Sequence, residues 1–304
     1  MSVQPDPSGA GRLMAAELAS QPECWRQAAE LAPGMAGLLP RRGERVAVVG
    51  CGTSWFIGQS YAAAREAAGH GETDAFAASQ MPAGRHYDRV VVLSRSGTTT
   101  EILDLQAELS GRTPTLAITA DPAGPVAQRA DAVIALDFAD EQSVVQTRFA
   151  TTELVLLLTG LGYDAAAAAA AAAGMLGRPV PAELTAARQF TFLGSGWTCG
   201  LASEAALKLR EAAGMWTESY PAMEYRHGPI AVTGPGSVVW PLGPMPDGLA
   251  EEIAAAGGLA WPGTDEPLAD LVAVQRLALA LGRARGLDPD QPRNLTRSVI
   301  LARP

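Results

Sequence analysis

Short apolar runs alternate with longer stretches of helical periodicity through the first half of this chain. Amphipathic or alanine-rich segments separate five runs that have the length and composition of buried strands, near residues 45–50, 72–78, 89–94, 114–119 and 132–136. Strands that alternate with helices are typical of a parallel sheet with helices on both faces. The pattern therefore predicts a doubly wound α/β unit, closed by a helix at about 148–160.

The same pattern of strand, glycine turn and helix begins again in the second half. An apolar strand at 190–193 runs into Gly194, Ser195 and Gly196, and another strand at 237–240 precedes a loop that begins at Pro241. We therefore predict an α/β fold of two tandem units, each a flavodoxin-like parallel sheet flanked by helices. The predicted segments are an N-terminal tail with a leading helix at 1–40, a first domain at 41–165, a linker helix at 166–187 and a second domain at 188–304.

The composition is that of an acidic globular protein. The 304 residues carry a formal net charge of −9, whereas a nucleic-acid-binding face would be basic. No apolar run has the length of a membrane span, and residues 1–11 contain no apolar core of a signal peptide. The three cysteines have neither CxxC spacing nor the pattern of a metal site. We therefore expect a cytoplasmic protein with no metal, no nucleic-acid partner and no membrane contact.

A turn rich in hydroxyl groups follows the apolar strand at 89–94. The segment 94–101 reads Ser-Arg-Ser-Gly-Thr-Thr-Thr-Glu and leads into a helical pattern that ends near Leu109. Free N–H groups and the positive end of the helix dipole meet hydroxyl donors there, as a phosphate monoester requires. An ordinary N-capping loop is the alternative interpretation. No lysine follows the glycine in P-loop spacing, which disfavours a nucleoside triphosphate.

A second turn of the same kind lies upstream. The strand at 45–49 runs into the segment Gly-Cys-Gly-Thr-Ser at 50–54 before another helix. The two turns follow parallel strands, and ligands of such sheets bind at the carboxyl ends of the strands. The sequence therefore predicts a phosphosugar pocket at this edge, with one anion surrounded by Ser54, Ser94, Ser96 and Thr99.

These motifs resemble those of the sugar isomerase (SIS) domain family. The segments at 50–54 and 94–99 carry its two turns, and those at 204–211, 227–229 and 292–299 are similar to the isomerase half of glucosamine-6-phosphate synthase and to its deaminase and deglycase relatives. The resemblance implies two tandem SIS domains without a cofactor, the first of which binds a small-molecule sugar phosphate. The binding positions that it implies are Gly52, Thr53, Ser54, Ser94, Arg95, Ser96, Thr99, Val145 and Gln146.

Glu204, Lys208 and Glu211 recur at i, i+4 and i+7 in an otherwise apolar helical pattern. This stripe is either the exposed face of a surface helix or the polar wall of a cavity in the core. The resemblance favours the second interpretation. It implies that Glu211 moves a proton between C1 and C2 of the sugar, that Lys208 is an active-site cation and that Glu204 orients them. Burial could also lower the pKa of Lys208 and allow a Schiff base there.

His227 lies in the segment Glu-Tyr-Arg-His-Gly-Pro at 224–229, where Gly228 and Pro229 form a rigid turn. A lone histidine is usually structural or exposed. The resemblance implies instead that His227 opens the sugar ring and that it acts in the site of the neighbouring subunit. We therefore predict a homodimer with composite active sites.

Some positions depart from the synthase pattern. Arg297 stands where those relatives carry a lysine in the tail, and an arginine cannot form a Schiff base. Arg95 replaces a neutral amide residue, and Gln146 and Arg148 replace a serine and a lysine. The sequence before the leading helix contains no glutaminase domain with its leading cysteine. We therefore expect that glutamine does not supply ammonia.

The sequence thus predicts a phosphosugar isomerase or deaminase. Its substrate is an amino-sugar or fructosamine 6-phosphate, and proton transfer between C1 and C2 leads to release of ammonia or an amine. Two alternatives stay open, a plain aldose–ketose phosphate isomerase and a sugar-phosphate sensor without turnover. The expected catalytic residues are Glu211, His227, Lys208 and, as an electrostatic group, Arg297.

Overall fold

The computed structural model describes residues 9–82 and 84–302, and the strands of its two sheets are parallel. The first sheet has the order β2-β1-β3-β4-β5, which is that of flavodoxin-like folds. Its strands are β1 (Val46–Gly50), β2 (Thr73–Ala77), β3 (Arg89–Ser94), β4 (Thr115–Thr119) and β5 (Ala132–Ala135). Its helices are α2 (Thr53–Ala67), α3 (Thr100–Leu109), α4 (Pro125–Arg129) and α5 (Arg148–Thr159).

The second sheet has four strands in the order β7-β6-β8-β9. They are β6 (Gln189–Gly194), β7 (Thr217–Pro221), β8 (Ser237–Leu242) and the two-residue β9 (Leu259–Ala260). The helices of this half are α8 (Thr198–Ala213), α9 (Leu249–Ala255) and α10 (Pro267–Ala284). The unit of strand, glycine turn and helix is therefore repeated in the second half.

The predicted α/β fold with helix-flanked parallel sheets is confirmed in both halves. The five strands predicted for the first half agree with the structure to within one residue at each end. The leading helix is α1 (Arg12–Met35); residues 1–8 of the predicted tail lie outside the described residues. The predicted linker at 166–187 begins as a helix, as its alanine-rich sequence indicated. Two helices, α6 (Ala165–Leu176) and α7 (Ala182–Thr185), lie there, because Pro179 and Pro181 cannot continue a helix.

The loop predicted to begin at Pro241 begins later, because β8 continues through Pro241 to Leu242. Pro241 is aligned with Leu193 of β6, but β9 pairs only with Val238 and Val239. One side of β8 is therefore unpaired at Pro241. A proline without an N–H group is tolerated at such an edge, which explains the difference.

One hydrophobic cluster extends through both halves. It includes Val48 of β1 and Phe192 of β6, both fully buried. Helix α1 packs against α5 and α6, and α10 packs against α6 and α8. The two sheets are therefore joined by shared helical packing. None of the described helices is long and apolar enough to cross a membrane.

Helices α2 and α8 pack closely at Gly200. A Cβ atom there would lie 2.3 Å from the carbonyl oxygen of Phe56 and 2.4 Å from Ser60 Oγ, so a side chain would push the helices apart. The same pair of helices brings the start of α2 beside the second half of α8, where Thr53 contacts Lys208. The helix contact therefore connects the first glycine turn with the polar stripe.

Candidate functional site

The two predicted turns lie side by side. Strands β1 and β3 pair directly, with Val49 aligned with Val92, so both chains leave the sheet at the same edge. Gly52 and Gly97 have φ values of 55° and 64°, in the region that favours glycine. The glycines therefore permit the two tight turns that lead into α2 and α3.

Lys208 is the centre of a polar cluster on α8. Its Nζ lies 2.5 Å from Glu211 Oε2 and 3.3 Å from Glu204 Oε1, and it donates to Thr53 Oγ1 at 3.0 Å. Glu204 and Lys208 are fully buried, whereas the side chain of Glu211 is 20% exposed. The stripe is therefore the polar wall of an interior site, and the surface interpretation is wrong.

The cluster perturbs the ionisation of its buried members. Burial raises the pKa of Glu204 to about 7, with a further contribution from Glu211, while Lys208 and Thr53 oppose this shift. Burial alone would lower the pKa of Lys208, but the carboxylates of Glu204 and Glu211 outweigh it and raise that pKa above its ordinary value. The expectation that Lys208 could have a lowered pKa is therefore wrong, because two carboxylates stabilise its charged form.

The turn after β3 forms a second cluster, made of hydroxyl groups. Ser298 Oγ lies 3.1 Å from Ser96 Oγ, 2.9 Å from Thr98 Oγ1 and 3.4 Å from Thr99 Oγ1. Ser298 comes from the C-terminal tail, which was not among the predicted phosphate-binding segments. Two of the four predicted phosphate ligands are therefore in contact with the protein's own tail.

The other two predicted phosphate ligands, Ser54 and Ser94, are buried beside this turn. Ser94 is the last residue of β3, and Ser54 lies in the first turn of α2. The structure records no side-chain hydrogen bond for either hydroxyl within residues 9–82 and 84–302. These donors are therefore available to a ligand.

Arg95 has several partners within the protein. Its guanidinium is buried and donates to the carbonyl oxygens of Ser143 and Arg297, both at 3.0 Å, and weakly to that of Val144. Glu141 Oε2 lies 4.0 Å away. Arg95 therefore links the turn to a loop and to the tail through protein carbonyl oxygens.

Arg297 is bound to the same loop. Its Nη2 lies 2.5 Å from Asp140 Oδ1, and its Nη1 donates to the carbonyl oxygen of Glu141. About two fifths of the side chain is exposed. The guanidinium is therefore held at the rim of the site by an acidic partner.

The loop at 140–147 contains the remaining predicted binding positions. The side chain of Val145 belongs to the hydrophobic core, so only its backbone could contact a ligand. Gln146 is partly buried, and its Oε1 has no hydrogen-bond partner. Arg148 donates to the carbonyl oxygen of Asp140 and to Ser20 Oγ of α1. Of Val145, Gln146 and Arg148, Gln146 is therefore the residue whose side chain could form a hydrogen bond with a ligand.

His227 is not among the recorded hydrogen-bond or ion-pair partners of either cluster within the described residues. It ends a short 3₁₀ segment, Met223–His227, and is exposed. The structure records no hydrogen bond or ion pair of its side chain within the described residues. The described residues of one chain therefore show no direct bond between His227 and Glu211.

Two cavities flank the tail. One, of about 620 Å³, is lined by Glu211, by Arg285 and by tail residues that include Arg293 and Asn294. The other, of about 540 Å³, lies between the turn after β3 and the tail around Arg297 and Ser298. The tail therefore runs from the carboxylate cluster to the hydroxyl turn. In the part of the chain that the structure describes, no three acidic, histidine or cysteine side chains could together hold a metal ion.

Two residues of the site were missed in the sequence analysis. Ser298 contacts a turn 202 positions away, for which local spacing gives no signal. Glu141 is fully buried and accepts from the backbone N–H groups of Thr147, Arg148 and Phe149, so it caps α5. It lies six to eight positions before its partners, outside the spacing of a capping box.

Comparison with known proteins finds a family model that matches part of the chain. Residues 41–159 match the family model of the SIS domain. The glutamine–fructose-6-phosphate aminotransferase of Aeropyrum pernix is 30% identical over an alignment that covers 88% of this chain and 52% of that protein. The chain therefore spans about half the length of this curated relative.

Solved structures have the same fold. The glucosamine-6-phosphate deaminase of Thermotoga maritima superimposes with a TM-score of 0.77 at 21% identity, covering 94% of this chain and 99% of that one. The tagatose-6-phosphate ketose/aldose isomerase of Escherichia coli gives a TM-score of 0.74 at 20% identity, covering 95% of each chain. Residues 41–159, with their two hydroxyl-bearing turns at one edge of a parallel sheet, therefore match the SIS domain, as the motifs predicted.

Proposed function

We propose that this protein is a phosphosugar isomerase or deaminase that acts on an amino-sugar or fructosamine 6-phosphate. The observation that carries the proposal is the buried cluster of Glu204, Lys208 and Glu211, which touches the first glycine turn through Thr53. Lys208 is the only lysine among the 23 Lys and Arg residues of the sequence. A chain that otherwise uses arginine for its basic residues thus has a compact ammonium at this position.

Glu211 is the proposed proton carrier. It is the partly exposed carboxylate of the cluster and lines the cavity of about 620 Å³. With an amino-aldose 6-phosphate it removes the C2 proton and returns it at C1, and water hydrolyses the resulting C2 imine to a ketose and ammonia. With a 1-amino-1-deoxyketose the proton moves from C1 to C2, and hydrolysis of the C1 imine releases the amine. One carboxylate suffices for either direction.

Lys208 is the proposed electrostatic partner. Its raised pKa keeps the ammonium charged, and its contact with Glu211 fixes the carboxylate. A cation beside the reacting carbons stabilises the negative oxygen that develops on the enediol or enaminol. Glu204 holds Lys208 from the other side, so we propose that it orients the cation and does not itself touch the sugar.

The phosphate is proposed to bind in the first sheet at the edge formed by the two turns. The hydroxyls of Ser54 and Ser94 have no recorded partner in the part of the chain that the structure describes, and α3 begins directly after Thr99. Hydroxyl donors and the N-terminus of a helix together favour a dianion. In this proposal the second sheet belongs to a second SIS domain that supplies the carboxylate cluster.

A homodimer is part of the proposal. His227 is exposed and shares no recorded hydrogen bond with Glu211 within the described residues, and the exposed Trp216 and Met223 lie near it in sequence. A second copy would cover these apolar groups and could deliver the imidazole to open the sugar ring. A cytoplasmic location of the enzyme is part of the same proposal.

Plain aldose–ketose phosphate isomerisation is the second candidate. Arg297 is held by Asp140, and Lys208 is charged, so neither offers a free amine for covalent bonding to a ketose. Proton transfer through Glu211 needs no such bond, and isomerisation alone would use the same cluster.

The experiment is a pair of assays on the purified chain. Glucosamine 6-phosphate and a fructosamine 6-phosphate are supplied, and ammonia or amine release is followed by a coupled enzyme while C1–C2 isomerisation is followed separately. Release of ammonia or amine supports the first candidate, and isomerisation without release supports the second. The same sugars without the 6-phosphate are the control. Neither product from any substrate, with tight binding of the phosphates, would favour a sensor and overturn the enzymatic proposal.

A further inference from the structure

The C-terminal residues 297–301, here called the tail segment, lie against the proposed phosphate turn. Ser298 Oγ is within 2.9–3.4 Å of three hydroxyl oxygens, those of Ser96, Thr98 and Thr99. A single oxygen surrounded by three hydroxyl groups has the surroundings that a phosphate oxygen would have at this position. The tail therefore supplies an oxygen where the ligand is expected to supply one.

The backbone of the tail segment also engages the start of α3. The backbone N–H of Thr100 donates to the carbonyl oxygen of Val299 at 3.1 Å, and that of Leu301 donates to Thr100 Oγ1 at 2.9 Å. Thr100 is the first residue of α3, so its N–H has no partner within the helix. Such N–H groups are those that bind phosphate at helix N-termini. A second potential phosphate donor is thus occupied by the tail.

Contacts on the other side of the tail segment hold it in place. Arg95 Nη2 donates to the carbonyl oxygen of Arg297 at 3.0 Å, and Arg297 pairs with Asp140. The apolar side chains that follow are only weakly packed, with Val299, Ile300 and Leu301 exposed by 50%, 70% and 55%. The contact is therefore mostly polar, and little buried apolar surface opposes its release.

The hydroxyl groups that contact the tail contrast with those that do not. Ser96 and Thr99 contact the tail, whereas the hydroxyls of Ser54 and Ser94 have no recorded hydrogen-bond partner within the described residues. An anion could reach the free hydroxyls with the tail in place. The anion could bond to Ser96 and Thr99 only after Ser298 has moved.

From this geometry we infer that the tail segment competes with the phosphate group of the substrate for the turn after β3. The inference rests on the proposed phosphate site. In the structure the tail occupies Ser96, Thr99 and the N–H of Thr100, and a sugar phosphate displaces it. Because phosphate binds fully only to chains in which the turn is free, the apparent dissociation constant is the intrinsic constant divided by the fraction of such chains.

The test compares phosphate affinity in chains of different length by titration calorimetry, with inorganic phosphate and with glucosamine 6-phosphate. A chain that ends at Arg297 should bind both about three- to ten-fold more tightly than the full chain, as expected for the loss of one or two competing hydrogen bonds. A chain that ends at Leu301 is the matched control and should bind as the full chain does. Ser298→Ala should bind more tightly as well, and Ser298→Asp more weakly, because a carboxylate is a stronger acceptor for the same hydroxyls.

The outcomes separate this inference from the function on which it rests. Equal affinity of the full chain, of the chain that ends at Arg297 and of Ser298→Ala would overturn the competition while leaving the phosphate site intact. Weaker phosphate binding after truncation would also overturn it, because the tail would then be part of the site. No phosphate binding by any folded variant would overturn the phosphate site itself. Ser298→Ala retains the chain length and keeps the test valid if the truncated chain does not fold.

Discussion

Lys208 Nζ lies 2.5 Å from Glu211 Oε2, within one turn of α8, in an ion pair whose ammonium is fully buried and whose carboxylate is partly open to a cavity. The pair is completed on its buried side by Glu204 and Thr53. A cation held between two carboxylates stays charged, and the carboxylate that faces the cavity has a fixed position. This relationship determines what can be expected of variants in the cluster.

Replacement of Glu211 by glutamine should abolish most turnover and leave substrate binding nearly unchanged. The amide retains the shape of the side chain but cannot carry the proton, and general acid–base catalysis contributes about 10²- to 10⁴-fold in rate. We expect a fall of this size in kcat with little change in the affinity for a sugar 6-phosphate, measured by steady-state kinetics and calorimetry. The exposed Glu183→Gln is the matched control. A variant with near wild-type kcat would remove Glu211 from the proton-carrier role.

Loss of the ammonium should destabilise the fold. Lys208→Met leaves Glu204 buried without its ion-pair partner, and breaking a buried pair by removing one member costs about 3–5 kcal/mol. We expect urea denaturation to show a decrease of this order in the free energy of unfolding. The double variant Lys208→Met/Glu204→Gln should recover part of the stability, because it also removes the uncompensated charge. Strictly additive effects of the two changes would mean that Glu204 and Lys208 are not coupled.

Ionisation of Glu204 should make stability depend on pH. Its pKa of about 7 in the folded chain lies above the ordinary value of 4.5, so folding favours the protonated acid. This contribution is fully present below pH 4.5 and is lost as the pH rises through about 7. Glu204→Gln loses the ion pair with Lys208, but we expect it to gain stability relative to wild type as the pH rises across this window. Urea denaturation of both proteins at about pH 5 and about pH 8 measures the gain, and a difference that does not change with pH would contradict it.

Much of the polar cluster on α8 was predictable from sequence because its members lie on one helix. The spacing of Glu204, Lys208 and Glu211 places them on one face whatever the tertiary structure, and strand and turn patterns predicted the edge where Thr53 lies. The contact of Ser298 with Ser96 was not predictable, since it joins segments 202 positions apart. The orientation of Arg95 was also missed, because its partners are backbone carbonyls, which no residue pattern reveals.

Subunit exchange should test the proposed composite site. Glu211→Gln and His227→Ala should each be inactive alone. If each site takes these residues from different chains, a mixed dimer contains one intact site, and random exchange should restore about a quarter of wild-type activity. Activity is measured after co-refolding or prolonged incubation of equal amounts, with each variant alone as control. A fully active wild-type monomer, or a mixture that regains nothing despite exchange, would contradict the composite arrangement.

Borohydride added during turnover should not attach substrate to the protein. A Schiff base requires an unprotonated amine, whereas the carboxylates of Glu204 and Glu211 raise the pKa of Lys208 and residue 297 carries a guanidinium instead of an amine. The experiment is unusually clear in this chain because Lys208 is its only lysine. Intact mass spectrometry followed by peptide mapping separates a lysine adduct from one on the N-terminal amine, and Lys208→Met serves as the matched control. A reduced sugar phosphate on residue 208 of the wild type, absent from the control, would show that Lys208 acts covalently. The ion pair with Glu211 would then have to open during the reaction, and Glu211 would no longer suffice to explain the chemistry.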